Sequence, residues 1–261
     1  MQYDILIIII SISIILSVFF IDLVRSFSIK LNAFDRPNER SSHQYKIPTL
    51  GGLAIGIVWF FILFLYNILL LDQASVNFNS THIYTFMLMG LCITIIGIYD
   101  DLRGIKPIYK FLVQLFIFFL LLRLDNSIIN SFHGLFGIND LGYLFSILFS
   151  CFVFIGIINA INLVDGIDGL SSSLTLFFIL IFSYIFYLSG SDHYYVLLPF
   201  SATIIVFLTY NFSKNKKIFL GDTGSLGFGL LIATLSLGIL NNEQYFYNFI
   251  PINPALFVVL T

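Results

Sequence analysis

The sequence predicts an all-α fold: a polytopic membrane helix bundle of eight complete transmembrane helices plus a truncated ninth, with the N-terminus outside. Three observations carry that reading. Hydrophobic residues make up 59% of the 261 residues and charged residues only 10%, with a mean hydropathy of +0.99, whereas a soluble domain carries roughly 25% charged residues. Apolar runs long enough to cross a bilayer, about 20 residues each, recur along the chain. Finally, 11 of the 12 lysines and arginines fall in one alternate set of connections. Together these exclude a soluble enzyme, a disordered tail and a nucleic-acid binder, and make membrane lipid the surrounding partner.

The predicted spans are 4–24, 50–71, 83–99, 108–124, 143–161, 170–188, 194–210 and 226–240. The first is too long and uniform for a cleaved leader and has no basic segment before it, so it is expected to be a permanent helix. A ninth run opens near Phe249 and has only about 13 residues before Thr261, too short for a hydrocarbon core of ~30 Å. This predicts a chain truncated relative to its functional relatives, one single membrane domain over 1–261, with weak or no activity as it stands. Cys92 and Cys151 each sit in an apolar run and are expected as small core residues. No internal repeat of the inverted-transporter kind is present.

Orientation follows from the cations. Arg25, Lys30, Arg36, Arg40, Lys46, Arg103, Lys106, Lys110, Lys214, Lys216 and Lys217 share one side, and Arg123 alone lies on the other. The positive-inside rule makes the first side cytoplasmic. Asp35, Glu39, Asp100, Asp101, Asp165, Asp168 and Asp222 fall at the same helix ends. Charge at membrane depth is costly and marks function by default. The connection Asn162–Gly169 has no basic residue of its own, so its carboxylates lack a local partner. Carboxylates that converge without cations are how proteins hold Mg²⁺, which keeps waters and substrate phosphates as further ligands.

Four segments concentrate this chemistry. Residues 35–52 read DRPNERSSHQYKIPTLGG, polar and basic, closing on a glycine pair that permits close backbone approach. Residues 97–114 read GIYDDLRGIKPIYKFLVQ, an acidic pair followed by three cations. Residues 159–170 read NAINLVDGIDGL, in which Asp165 and Asp168 would share a face if the turn is helical. Residues 219–229 read FLGDTGSLGFG, which places Gly221, Gly224 and Ser225 at a helix N-terminus, where free N–H groups favour phosphate.

In this order and at these membrane positions, the four segments resemble the polyprenyl-phosphate N-acetylhexosamine-1-phosphate transferases, glycosyltransferase family 4. That family includes phospho-N-acetylmuramoyl-pentapeptide transferases and undecaprenyl-phosphate GlcNAc-1-phosphate transferases. The strings NxxNxxDGxDGL and GDxGS carry the resemblance, which runs from about Asp35 to Gly229. It implies transfer of a sugar 1-phosphate from a UDP-N-acetylhexosamine to polyprenyl (undecaprenyl) phosphate, with release of UMP. The site would face the cytoplasm in the inner (plasma) membrane, and the product would begin a lipid-linked cell-envelope glycan such as lipopolysaccharide. Mg²⁺ is the implied cofactor, with Mn²⁺ as the alternative ion, and a homodimer is compatible with the resemblance.

Residue by residue, the resemblance makes Asp100 and Asp101 the acidic pair that handles the lipid phosphate and metal site. Asp222 becomes the direct Mg²⁺ ligand, with Asn162 as the second metal-site residue. Asn159, Asn162, Asp165 and Asp168 line the nucleotide and metal site, Asp168 near the uracil, and Phe219 stacks on the uracil ring. Lys46 and Lys110 are expected near the substrates, although topological charge alone would also explain them. His43, in the ERSSH stretch, is a binding candidate.

Two features depart from the family pattern. A histidine-rich cytoplasmic loop is expected beyond the ninth helix, whereas His82, His133 and His193 fall on the opposite side. The pentapeptide branch carries a lysine after its acidic pair where this chain has Gly104. Together with the ERSSHxxxIPTLGG wording, this favours a GlcNAc-type donor over the pentapeptide donor. An inactive fragment of the same fold is the further alternative. A transporter would need acidic residues near the bilayer midplane, and the predicted spans have none there.

Overall fold

The computed structural model describes residues 2–35, 46–70, 80–124, 127–132, 137–138 and 140–241. His43, His133 and the ninth apolar run lie outside these. Eight helices are present: α1 (Gln2–Lys30), α2 (Gly51–Leu70), α3 (Ser80–Arg103), α4 (Pro107–Leu124), α5 (Tyr143–Val164), α6 (Leu170–Leu188), α7 (Tyr194–Asn211) and α8 (Gly221–Asn241). All eight are long and apolar enough to cross a membrane, as expected from the sequence. A feature the apolar runs did not predict is a two-stranded antiparallel ribbon, β1 (Phe34–Asp35) with β2 (Ile47–Pro48), pairing Phe34 with Pro48 and Asp35 with Ile47.

Local chemistry sets the helix ends. Pro107 opens α4, where its missing N–H removes no helical bond. Gly104 takes φ +69° and donates its N–H to the Asp100 carbonyl, which ends α3. The helices overrun the hydrophobic spans at one end. α3 continues past residue 99 to Arg103, so Asp100 and Asp101 belong to its last turn. α8 begins at Gly221 rather than 226, so Asp222 stands in its first turn. A hydropathy window stops at the first charge, but backbone hydrogen bonding does not.

α8 is the axis of the bundle. Within its apolar window 83% of the residues are buried inside the protein, against 22% for α1, α3 and α4. It packs on α2, α3, α5 and α6. Small residues permit this: a Cβ on Gly52 of α2 would overlap the backbone of Gly224 of α8. The core along α8 is continuous, from Leu220 and Leu226 through Ile232 to Leu240. Cys92 and Cys151 are free, half-buried thiols packed against it, as expected.

Candidate active site

One end of the bundle gathers the C-termini of α3 and α5, the N-termini of α4 and α8, and the turn before α6. Its centre is Asp222. Asn162 of α5 donates through Nδ2 to Asp222 Oδ1 at 2.5 Å and to Ser225 Oγ at 2.8 Å. Lys110 of α4 lies 3.1 Å from the same Asp222 oxygen and also pairs with Asp100 Oδ2. The other Asp100 oxygen accepts the Ile105 N–H at 2.7 Å, so the α3–α4 turn fixes this carboxylate from its own chain. Lys110 thus joins two acids that the sequence places 122 positions apart.

Asp101 is occupied differently. Its Oδ1 accepts the Asp222 N–H at 2.7 Å, and its Oδ2 accepts the Thr223 N–H at 3.0 Å and the Thr223 hydroxyl at 2.5 Å. It therefore caps α8 from a neighbouring helix, satisfying donors that a helix start leaves open. Gly221 makes room for this. It adopts φ +75°, and a Cβ there would lie 2.7 Å from both Asp101 oxygens.

Asp165 is the C-cap of α5 and lies in the turn that leads to Asp168 and Gly169. The sequence reading allowed a helical turn with both carboxylates on one face. The chain instead breaks between α5 and α6, with Gly169 at φ +70°. Burial pushes the Asp165 carboxyl up to about 8, and Asp222, Asp101 and Asp168 add to the effect through their charge. Asp168 points elsewhere and pairs with Lys217 at 2.5 Å. The lack of a local partner in Asn162–Gly169 is thus made good by a lysine from the α7–α8 connection. That ammonium also stands 5.2 Å from the centre of the Phe219 ring. Lys217 was counted in the sequence only as a topological charge. Its position two residues before the aromatic of the FLGD string was the available signal.

Phe219 is anchored by its backbone: its N–H donates to the Pro48 carbonyl, and its carbonyl accepts the Gly51 N–H, both at 2.9 Å. The IPTLGG string and the FLGD string are therefore one joint. Lys46 stands exposed just before β2, two residues from Pro48. Asn159 lies one turn from Asn162. It donates to Gln114 Oε1 and to the Ile155 carbonyl, both at 2.8 Å, and so ties α5 to a fully buried glutamine of α4. The structure brings Asp100, Asp101, Lys110, Asn162, Asp165 and Asp222 together in one cluster. Asp168, Lys217 and Phe219 form a second group beside it.

Among the described residues no three metal-binding side chains form a ready-made cage. The donor set still fits a hard divalent cation. Lys110 pairs with Asp100 and Asp222, while Asp165, whose carboxyl is raised first by burial and then by the charges of Asp222, Asp101 and Asp168, adds a further oxygen donor to the cluster. Mg²⁺ takes one or two carboxylates and leaves its other positions to water and substrate phosphate, so a complete protein cage is not required.

An eight-helix bundle with ionised side chains knotted at one end defines a polytopic integral membrane protein with a polar site at its helix termini. The glycosyl transferase family 4 model matches residues 82–239, and the chain belongs to that family. It is 33% identical over 239 residues to a probable undecaprenyl-phosphate N-acetylglucosaminyl 1-phosphate transferase of Bacillus subtilis, covering 88% of this chain and 62% of the relative. It is 31% identical over 206 residues to a phospho-N-acetylmuramoyl-pentapeptide-transferase of Streptococcus agalactiae, covering 74% and 59%. With one of the same name from Streptococcus pneumoniae it shares 30% over 216 residues, covering 76% and 61%. The chain thus spans about 60% of the length of these curated relatives.

Proposed function

We propose that this protein is a membrane phosphotransferase that moves N-acetylglucosamine 1-phosphate from UDP-N-acetylglucosamine to undecaprenyl phosphate, releasing UMP, with its site at the cytoplasmic face. The observation that carries the reading is Lys110 held between Asp100 and Asp222 beside Asp165. A cation held between two carboxylates suits a reaction in which two phosphate-bearing substrates must meet. The names of the relatives support the same class of chemistry.

An oxygen of the lipid phosphate attacks the phosphorus attached to the sugar. The new P–O bond forms as the bond to the bridging oxygen of UMP breaks, and that oxygen leaves with the electron pair. The lipid phosphate already carries an anionic oxygen at neutral pH, so no protein base is needed. Asp222 and Asp165 would hold Mg²⁺, with Asn162 orienting the Asp222 carboxylate. When bound, the ion supplies Lewis-acid polarisation of the pyrophosphate. Lys110 screens the repulsion between the two substrates, and Asp100 keeps its ammonium in place. Asp101 fixes the first turn of α8 by accepting its Asp222 and Thr223 N–H groups, so these two donors, which the sequence offered to phosphate, are already taken by a carboxylate. Phe219 offers its ring to the uracil, with Lys217 and its partner Asp168 beside it, and Lys46 is a further cation for the substrates. Rate then depends mainly on in-line positioning and on charge stabilisation.

The test is purified protein in detergent with Mg²⁺, undecaprenyl phosphate and either radiolabelled UDP-GlcNAc or UDP-MurNAc-pentapeptide. Label should enter the lipid fraction from UDP-GlcNAc, together with UMP. Transfer only from the pentapeptide donor would change the assigned sugar. No transfer from either donor, together with no binding of UMP, would overturn the reading.

A further inference from the structure

The connection between α7 and α8 delivers Lys217 and Phe219 to the site, and its outer side is held by α1. Arg25 donates through Nε to the Lys217 carbonyl at 3.3 Å and through Nη2 to the Asn215 carbonyl at 3.2 Å. Three residues earlier on α1, Asp22 accepts from Lys216 Nζ with both oxygens at 3.1 Å. The same ammonium lies 5.8 Å from the Tyr210 ring centre. Of two neighbouring lysines, Lys216 therefore faces α1 while Lys217 faces Asp168 and Phe219.

We propose that Arg25 is a positioning residue for the nucleotide side of the site, acting through the backbone of residues 215–217 on the aim of Lys217. The proposal rests on the transferase reading above. Asp22 contributes less, because it and Lys216 are 42% and 58% exposed and an ion pair so open to water is weak. Arg25 is half-buried, and its planar fork reaches two carbonyls of one short segment. A lysine would keep the charge that orients the membrane chain, but it is a point charge on a flexible stem without that fixed fork. The joint of Phe219 with Pro48 and Gly51 anchors the C-terminal end of the segment independently of α1. Loss of Arg25 therefore loosens Lys217 more than it displaces the aromatic ring.

The experiment measures UMP affinity by calorimetry on purified protein with Mg²⁺, for the unaltered chain, Arg25→Lys, Arg25→Met, Lys217→Met and the Arg25→Met/Lys217→Met double variant. Arg25→Met and Lys217→Met should each raise the Kd about tenfold, the scale of a lost charge-assisted hydrogen bond. Arg25→Lys should resemble Arg25→Met, because charge alone does not restore the fork. In the Lys217→Met background, Arg25→Met should add less than about twofold, since residues that act through one another are not additive. Amide exchange across residues 213–218 should quicken in both Arg25 variants, with or without nucleotide. If Arg25→Met does not assemble, Arg25→Lys completes the same cycle. Full recovery of affinity by Arg25→Lys, or independent effects in the double variant, would overturn the proposal and leave Arg25 a topological charge. Failure of the unaltered protein to bind UMP would overturn the transferase reading and this proposal together, so the wild-type affinity separates the two failures.

Discussion

Asp101 and Asp222 carry the same side chain and meet at the same helix end, yet their surroundings divide the work between them. Asp101 accepts three hydrogen bonds from the start of α8, whereas Asp222 faces Asn162 and Lys110. Asp222→Asn should keep the shape and lower turnover on the order of 100-fold, the effect of removing one preorganised electrostatic contact. Its melting temperature should stay close to wild type. Asp101→Asn turns an amide group toward backbone donors and should cost about 1 kcal/mol or more of stability, the worth of a cap, visible in the melting temperature as well as in the rate. Asp192→Asn, at the opposite end of the bundle, should leave turnover within about twofold, against a typical surface effect of ±0.5 kcal/mol. Asp165 adds a pH dependence. Its carboxyl is raised from 3.8 to about 8 in the folded protein, so the folded state binds the proton more tightly than the unfolded state. The associated stability is fully present below about pH 4 and is lost as the pH rises through about 8. Melting temperatures in chelator should therefore fall from pH 5 to pH 9, and Asp165→Asn should flatten that slope. A slope unchanged in the variant would assign the effect to another group.

At the scale of elements, α8 decides where the site can be. Its burial requires close neighbours, and Gly52 of α2 against Gly224 of α8 is one such crossing. Gly52→Ala forces the two helices apart and should destabilise the protein by about 1–3 kcal/mol, the cost of overpacking. Because Gly52 and Phe219 share the α2 joint, that variant should also weaken UMP binding. Gly56→Ala, one turn along the same helix, meets only Thr94 Oγ1 at 3.9 Å and should be tolerated. Thermal unfolding of the two variants side by side checks this. Equal stability would place the crossing elsewhere.

At the scale of the molecule, every element that reaches the site does so from one end: the last turn of α3, the first of α4 and α8, the break between α5 and α6, and the connection after α7. Among the described residues that common end also holds Arg25, Lys30, Lys46, Arg103, Lys106, Lys110, Lys214, Lys216 and Lys217. Single cysteines at Ser42, Arg103 and Asn215 should therefore react with membrane-impermeant reagents only from the cytoplasmic side, as the positive-inside rule requires. Labelling of Asn215 from outside intact cells would reverse the orientation, and the site with it.

By itself the sequence determined the eight helices and the end at which charge collects, because hydrocarbon thickness and insertion cost act on composition directly and need no knowledge of neighbours. It also marked the acids, since a carboxylate at a helix end stands out against an apolar background. Only the tertiary structure decided what each acid does. Asp101 finds its partners 121 and 122 positions away, and Lys217 reaches Asp168 across 49. The Phe34–Asp35 ribbon exists because Ile47–Pro48 returns beside it. Arg25 meets the backbone of residues 215 and 217, whose carbonyls every sequence contains and no side-chain pattern announces. Hydrophobicity is a local property and survives in the sequence. Hydrogen bonds to backbone and pairings between distant helices depend on how the bundle closes, and that was settled by packing around α8.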